Sequence, residues 1–400
     1  MVTKTNQRVA TFLENSPRIR LDSQEALTHI PRYSPSDLVL GKLIAEGGFS
    51  DIHELSSLPQ SPENDSNMSS SSSSSRFVVK HLKPELALNP HRLRSAAKDI
   101  INELHVLSSL DHPNIVKVRG MIHTTTIDST TTCTSNNDHA TAGVLAGMLE
   151  TRRADYHSFF LILDRMEHSL LHKLNQWRSR GIRQQTLDLK RLPNNNNSNT
   201  YCEETTTLFI ERARVAQQLA SAVAYLHQRR ILHRDIKPGN VCFDGNGNLQ
   251  LIDFGLAVEL PADYDVANPT TKYDLGNAGT VRYQAPEIIS KKPYNTKSET
   301  YSLAIVIWEI MALKRPYDNL SGDDVKESVA RIGCRPTIPR SWPRALKSLL
   351  EQGWAKSTSQ RPTVAEMEAT LAKIADEAPW QAKVKKDKKK MSWFGRRHTT

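Results

Sequence analysis

The sequence predicts an α+β fold with a strand-rich first lobe, a helix-rich second lobe and a cleft between them. Short apolar runs typical of strands dominate as far as Leu163, whereas most apolar residues beyond Thr207 recur at helical spacing. A chain of 400 residues, 38% of them hydrophobic, can bury a core large enough for two lobes.

The strands of the first lobe are predicted from short apolar runs. They cover Leu38 to His53, Phe77 to His81, Val116 to Ile122 and Phe159 to Leu163. A helix from about Ser95 to Leu110 is predicted between the second and third of these runs.

The second lobe begins with a helical stripe from Thr207 to Gln228, where apolar residues recur at spacings of four, three and four between Val215 and Leu226. The chain after Ala285 is predicted to be mainly helical. Its apolar run from Leu303 to Leu313 contains Glu309 and is too short to cross a bilayer, which favours a buried helix.

Three segments contain too few large apolar residues to bury themselves, and they are predicted to be loops inserted into surface turns. They lie near residues 56–75, 124–155 and 178–204. The predicted domains are an N-terminal extension 1–34, a first lobe 35–165, a second lobe 166–377 and a basic tail 378–400.

The net charge of +10 is concentrated in that tail. Between Lys383 and Arg397 there are eight basic residues and one acid, so the body of the chain is nearly balanced and no nucleic-acid groove is indicated there. The tail is expected to be disordered and dispensable for catalysis. Three roles remain open for it, which are solubilising the chain, binding an anionic membrane surface through Trp393 and Phe394, and binding an import receptor.

The four cysteines include no CxxC pair and no histidine partner at zinc spacing. This pattern predicts neither a disulfide framework nor a metal site, and it favours a reduced compartment. The first 20 residues contain no apolar run of signal-peptide length. We therefore expect a cytoplasmic monomer, with nuclear or membrane-peripheral placement through the tail as the alternatives.

The densest polar motif is HRDIKPGN, from His233 to Asn240. A polar turn after a helix explains any one of these residues, but not all of them together. The motif resembles the catalytic loop of eukaryotic protein kinases. The resemblance implies that Asp235 orients the acceptor hydroxyl and takes its proton, Lys237 neutralises the moving phosphoryl group and Asn240 ligates Mg²⁺.

Two further motifs follow at the family's spacing. DFG begins at Asp253, thirteen residues after Asn240, and the resemblance makes Asp253 a second Mg²⁺ ligand beside the ATP phosphates. AGTVRYQAPE resembles the end of an activation segment that runs from Asp253 to Glu287. QRPT places Arg361 where the family has the arginine that pairs with Glu287.

Upstream, FVVK ends a predicted strand at Lys80, and Glu103 lies between apolar residues on the face of the following helix. A carboxylate on a buried face needs a partner. The resemblance supplies Lys80, in the pair that holds the α- and β-phosphates. The alternative is that Glu103 is a solvated helix residue.

The glycine-rich loop departs from the family pattern, because IAEGGFSDI keeps only the middle glycine, Gly47, and has Ala45 and Ser50 at the outer positions. We expect a stiffer lid that still binds ATP. The nucleotide site implied by the resemblance consists of Ile44, Gly47, Gly48, Ile52, Val78, Lys80, Leu163, Asp164, Met166 and Cys242. In it, Asp164 to Met166 form the hinge and Cys242 packs as a small hydrophobe.

A second departure lies at KSETYSLA, where the family usually has Asp and Gly but this chain has Glu299 and Ala304. The Asp normally accepts hydrogen bonds from the catalytic-loop backbone. Glu adds a methylene, so its carboxylate must bend back or its helix must lie slightly farther away.

Taken together, the motifs resemble a two-lobed serine/threonine protein kinase of the tyrosine-kinase-like branch. The implied activity is ATP- and Mg²⁺-dependent phosphorylation of Ser and Thr on protein substrates, in signalling. A pseudokinase that binds nucleotide or partners without catalysis is the alternative. We also expect regulation by a phosphate on Thr270 or Thr271, which would pair with an unpaired Arg234.

Overall fold

A computed structural model describes residues 27–57, 76–122, 160–190 and 198–377, with only the backbone described for 181–190 and 198–206. The predicted insert at 124–155, nearly all of the insert at 56–75 and the basic tail lie outside the described residues. The chain divides into two compact units. The first contains the residues up to Asp111 together with Ile115–Glu167 and Asp253–Glu259, and the second contains His112–Asn114, His168–Ile252 and the residues from Leu260 on.

The first unit is built on a six-stranded sheet with the order β1-β5-β6-β4-β3-β2. Its strands are β1 Arg32–Tyr33, β2 Val39–Glu46, β3 Ser50–Ser57, β4 Phe77–Leu82, β5 Val118–Ile122 and β6 Phe160–Asp164. Neighbouring strands run antiparallel except β1 and β5. The strands predicted from the sequence are confirmed, and Leu55, Val79, Phe160 and Ile162 form a core cluster on them.

Helix α1, Pro90–Ser108, belongs to the same unit and begins five residues before its predicted start. The Asn89 side chain accepts hydrogen bonds from the backbone N–H of His91 and Arg92, and Pro90 occupies the first helical position. An N-cap asparagine followed by proline is a start signal that the apolar periodicity does not contain.

The second unit is mainly helical, as predicted. Its helices are α2 Leu170–Lys190, α3 Ser198–Gln228, α4 Pro286–Ile289, α5 Thr296–Ala312, α6 Gly322–Lys326, α7 Arg344–Gly353 and α8 Val364–Glu377. Its three-stranded sheet consists of β7 His168–Ser169, β9 Val241–Phe243 and β10 Leu249–Leu251. Two further short strands are β8 Ile231–Leu232, which lies in the second unit, and β11 Val258–Glu259, which lies in the first.

The loop predicted for 178–204 is wrong over most of its length, because α2 continues to Lys190 and α3 begins at Ser198. The first turns of α2 are anchored by the fully buried Leu170, Leu174 and Trp177. Once a helix is anchored in this way, each added residue gains a hydrogen bond at low cost, and GIRQQTLDLK contains mostly good helix formers.

Helix α5 is the core of the second unit. Nearly every side chain from Thr296 to Met311 is buried, including Glu299 and Glu309. This confirms the buried helix expected from the apolar run. Among the described helices, none is long and apolar enough to span a membrane.

Candidate functional site

The first unit brings Lys80 and Glu103 together, as the sequence predicts. Lys80 on β4 donates a hydrogen bond to Glu103 Oε2 on α1 at 2.6 Å, and Glu103 is 1% exposed. Lys80 Nζ also lies 3.1 Å from Asp253 Oδ1. The alternative of a solvated Glu103 is therefore wrong.

Electrostatics keep Lys80 charged in this position. Burial by itself lowers the Lys80 pKa, but the Glu103 and Asp253 carboxylates together outweigh burial and raise the pKa above its ordinary value. Lys80 is therefore a fixed cation on β4, suited to an anionic group such as phosphate.

One residue that the sequence reasoning missed, Asn102, holds the DFG segment against α1. Asn102 Nδ2 donates to the carbonyl oxygens of Phe254, Gly255 and Ala257, at 3.2, 3.0 and 2.9 Å. Burial, and then the negative charge of Asp253, raise the pKa of Asp99 to about 6. A signal for Asn102 is present in the sequence, since it is a polar residue next to Glu103 in an otherwise apolar stretch of helix.

The nucleotide-site residues of the sheet share one face. Val78 pairs with Leu163 across β4 and β6, and Ile52 pairs with Lys80 across β3 and β4. Cross-strand partners project to the same side, and Val78 and Lys80 are two residues apart, so all four lie on that side. This is an apolar surface with a cation at its end, which suits a flat base joined to phosphate.

The other residues predicted to bind the nucleotide in the first unit lie on β2, in the turn that follows it, and at the end of β6. Gly47 begins the turn between β2 and β3, and its N–H donates to Ser50 O at 2.7 Å. At Gly48 an added Cβ would have open space around it, with no atom of the described residues within 4 Å. Ile44 is exposed on β2, and Met166 follows β6. Asp164 receives two hydrogen bonds from Arg119, both 2.8 Å long, and so has a structural partner that the sequence did not indicate.

Cys242 is half-buried on β9 of the second unit, where burial raises the pKa of its thiol to about 11. A thiol that stays protonated is a poor nucleophile or metal ligand. This supports its reading as a small hydrophobe. Among the described residues, no cluster of three or more His, Cys, Asp or Glu side chains is arranged to hold a metal ion.

The second unit gathers the catalytic-loop residues around Asp235. Lys237 Nζ lies 2.5 Å from Asp235 Oδ2, and both the backbone N–H and the hydroxyl of Thr280 donate to Asp235 Oδ1 at 2.8 Å. Asn240 Nδ2 donates to the Asp235 carbonyl oxygen at 2.9 Å. Because its nitrogen faces Asp235, the carboxamide oxygen of Asn240 is the end suited to a metal ion.

Glu299 fits its position by accepting from two elements at once. Its Oε1 accepts from the backbone N–H of Arg234 at 2.5 Å, and its Oε2 lies 2.7 Å from His227 Nε2 on α3. The longer side chain spans both donors, so the departure from Asp preserves the contact with the catalytic-loop backbone. No local pattern in the sequence indicates His227 as the second partner.

The expectation that Arg234 is unpaired is wrong. Its Nε donates to Tyr294 Oη at 3.0 Å, and its Nη2 donates to Leu275 O at 2.6 Å. Gly279 passes close to it with φ at +95°, where an added Cβ would collide with the Arg234 carbonyl oxygen. Only glycine permits this close approach between the activation segment and the catalytic loop.

Arg361 and Glu287 form the ion pair that the sequence predicts. Arg361 Nη1 and Nη2 lie 2.6 and 3.0 Å from the two Glu287 oxygens, and the Arg361 side chain is fully buried. Burial alone raises the pKa of Glu287, but the guanidinium reverses this and lowers it below its ordinary value. Glu287 therefore remains ionised although it is largely buried.

Comparison with known proteins agrees with this geometry. The protein kinase domain model matches residues 67–371. The chain is 36% identical over 173 residues to serine/threonine-protein kinase STY46 of Arabidopsis thaliana, covering 43% of this chain and 29% of that protein. It is 31% identical over 160 residues to serine/threonine/tyrosine-protein kinase HT1 of Arabidopsis thaliana, covering 40% of this chain and 39% of that protein.

A third relative is mitogen-activated protein kinase kinase kinase 7 of Bos taurus, 30% identical over 155 residues that cover 38% of this chain and 25% of the relative. The matched regions thus span less than half the length of each of these relatives. The family model covers most of this chain, however, and the ion pairs and catalytic loop agree with it. The chain therefore belongs to the protein kinase family, as a eukaryotic protein kinase with the two-lobed α+β fold that resembles the tyrosine-kinase-like branch.

Proposed function

We propose that this chain is an active serine/threonine kinase, which transfers the γ-phosphoryl group of ATP to Ser and Thr hydroxyls of protein substrates. The observation that carries the proposal is the position of Lys237 and Thr280 on the two oxygens of Asp235. A fixed carboxylate beside a cation meets two needs of phosphoryl transfer, which are orientation of the hydroxyl and neutralisation of the moving group.

The proposed roles follow from the donor sets in each unit. Lys80, held by Glu103, binds phosphate oxygens, and the apolar face with Val78 and Leu163 receives the adenine. Asn240 and Asp253 supply the hard oxygen ligands that Mg²⁺ prefers. When bound, ATP supplies the phosphoryl group and Mg²⁺ neutralises its charge. Asp235 orients the acceptor hydroxyl and takes up its proton.

The test is Mg²⁺-dependent transfer from labelled ATP to a peptide library in which the acceptor is Ser, Thr or Tyr. Lys80→Met and Asp235→Asn are each expected to reduce kcat by a factor on the order of a thousand or more, because each removes a charge that acts in the transition state. Lys326→Met is the control, since the exposed Lys326 pairs with Asp323 on the same helix, α6, and its loss should leave kcat within about twofold.

The outcomes separate three functions. Transfer to Ser and Thr peptides that is lost in Asp235→Asn supports the proposal, whereas equal transfer to Tyr peptides would show dual specificity. Nucleotide binding without turnover in the wild-type protein would support the pseudokinase alternative. Transfer by Asp235→Asn at the wild-type rate would show that the catalytic assignment is wrong.

A further inference from the structure

Arg234 is held in an uncommon backbone conformation beside the catalytic Asp235. Its φ is +70°, a region that is unfavourable for a non-glycine residue and persists only when neighbouring groups enforce it. Its backbone N–H is bound by Glu299, and its guanidinium donates to Tyr294 and to the Leu275 carbonyl oxygen. The arginine therefore already binds the activation segment.

Tyr294 connects the two sides of this contact. Its hydroxyl accepts from Arg234 Nε at 3.0 Å and donates to the Gly276 carbonyl oxygen at 3.1 Å. Its backbone forms a two-way bridge with Tyr273, through N···O distances of 2.9 and 3.0 Å. The residue is 3% exposed, so these hydrogen bonds are shielded from water.

Side chains hold the segment on both sides of this bridge. Asn295 Nδ2 donates to the carbonyl oxygens of Pro269 and Thr271, each at 2.9 Å. Gln284 Nε2 donates to those of Ala278 and Gly279, at 2.9 and 3.0 Å. Carbonyl oxygens accept only, so these contacts also determine which end of each amide faces the segment. Side chains of the chain itself therefore hold residues 269–279, without a phosphate among these contacts.

We propose that Tyr294 is a positioning residue for phosphoryl transfer, which through Arg234 holds residues 273–276 in place so that the activation segment needs no phosphate. The inference rests on the proposed function, and it replaces the expectation that a phosphate on Thr270 or Thr271 activates the chain. Tyr294 acts on the segment and on Arg234, not on substrate or nucleotide.

The first experiment removes the Tyr294 hydroxyl. Tyr294→Phe keeps the ring and the backbone bridge to Tyr273 but loses both hydroxyl contacts, so kcat/KM for a Ser or Thr peptide should fall about tenfold while KM for ATP stays within about twofold. Tyr301→Phe is the matched control, because Tyr301 is fully buried and its hydroxyl contacts Tyr317 at 3.4 Å, not Arg234.

The second experiment removes phosphate from the full chain. Phosphatase-treated wild type, shown by mass spectrometry to remain unphosphorylated during the assay, should keep its activity within about twofold, as should the double variant Thr270→Ala, Thr271→Ala. Loss of activity after phosphatase treatment overturns the proposal. Peptide kinetics of Tyr294→Phe that match those of Tyr301→Phe overturn it as well.

Hydrogen exchange provides a readout that does not depend on activity. The amides of residues 273–276 should exchange faster in Tyr294→Phe than in wild type. In Tyr301→Phe their exchange rates should equal those of wild type. If the wild-type protein transfers no phosphate, the proposed kinase function fails, and the exchange rates alone decide whether Tyr294 holds the segment. Equal exchange in all three proteins would then overturn the positioning role too.

Discussion

Single residues at the candidate site are held in backbone conformations that side chains rarely adopt. Asp253 has φ at +66° and Arg234 at +70°, and both are fixed by contacts from distant parts of their own unit. Asp253 is held through Lys80, and Arg234 through Glu299 and Tyr294. Local strain of this kind is typical of functional sites, where the surrounding structure enforces a geometry that the local sequence disfavours.

Glu299 is expected to be required at its present length. Glu299→Asp restores the residue usual in the family, yet the shorter side chain cannot reach both His227 on α3 and the Arg234 backbone as they are spaced here. One buried donor is then left unsatisfied, which costs about 1–3 kcal/mol. Thermal unfolding should show a lower midpoint for Glu299→Asp than for wild type, and kcat should fall with it. A midpoint equal to wild type would mean that α5 moves freely enough to close the gap.

Among the elements, α1 carries more of the site than its apolar pattern indicates. Along one helix it presents Asp99, Asn102 and Glu103 to the DFG segment and to Lys80. The helix begins at the Asn89 cap. The direction in which these three side chains point from the helix axis therefore depends on the first turn being formed.

Removing that cap should weaken the helix measurably. Asn89→Ala loses the acceptor for two backbone N–H groups and should lower the free energy of unfolding by about 1 kcal/mol. Asn89→Ser keeps a cap and is the control, expected to stay within a few tenths of a kcal/mol of wild type. Urea denaturation compares the three proteins. Equal stability of the Ala and Ser variants would show that Pro90 alone determines the start of the helix.

Helix α5 contains a carboxyl whose burial makes stability depend on pH. Burial raises the pKa of Glu309 to about 7, partly offset by the hydrogen bond from Tyr283 and by nearby arginines. Between its unfolded pKa of about 4.3 and about 7, the folded state retains a proton that the unfolded state releases, so rising pH lowers the free energy of unfolding.

Glu309→Gln should remove this contribution to the pH dependence, because an amide does not titrate. The amide oxygen can still accept the hydrogen bond from the Tyr283 hydroxyl. Relative to wild type, its melting midpoint is expected to be higher at pH 8 and higher by a clearly smaller margin at pH 5. The measurement is the difference between the two proteins at each pH, since other groups titrate equally in both. A difference that does not change between pH 5 and pH 8 would contradict the raised pKa.

For the whole molecule, the Arg361–Glu287 pair connects the start of α4 to the loop before α8. Arg361→Met leaves Glu287 buried without its cation and should cost about 3–5 kcal/mol. The double variant Arg361→Met, Glu287→Met removes both charges, so its loss of stability should be smaller than the sum of the losses in Arg361→Met and Glu287→Met. Chemical denaturation gives the free energy of unfolding of wild type and of these three variants. Strictly additive losses would mean that the two residues are not coupled.

The sequence by itself determined the family, the order of strands and helices and most of the candidate site. HRDIKPGN and DFG are local motifs, so the short spacing along the chain already brings Lys237 and Asn240 to Asp235. The Lys80–Glu103 pair was also predicted, because a carboxylate on an apolar helix face needs a partner and the family resemblance supplies Lys80. Burial of Glu103 and of the Arg361 pair confirms that reasoning.

Only the tertiary structure decided the contacts between residues far apart in sequence. His227 meets Glu299 across 72 positions and Arg234 meets Tyr294 across 60, and no local pattern specifies either partner. A long side chain such as arginine has many acceptors within reach, and packing of the helices selects among them. For the same reason the helical backbone of 178–190 and 198–204 was missed. Its polar composition suits a loop, and it is helical because the buried turns of α2 and α3 extend into it.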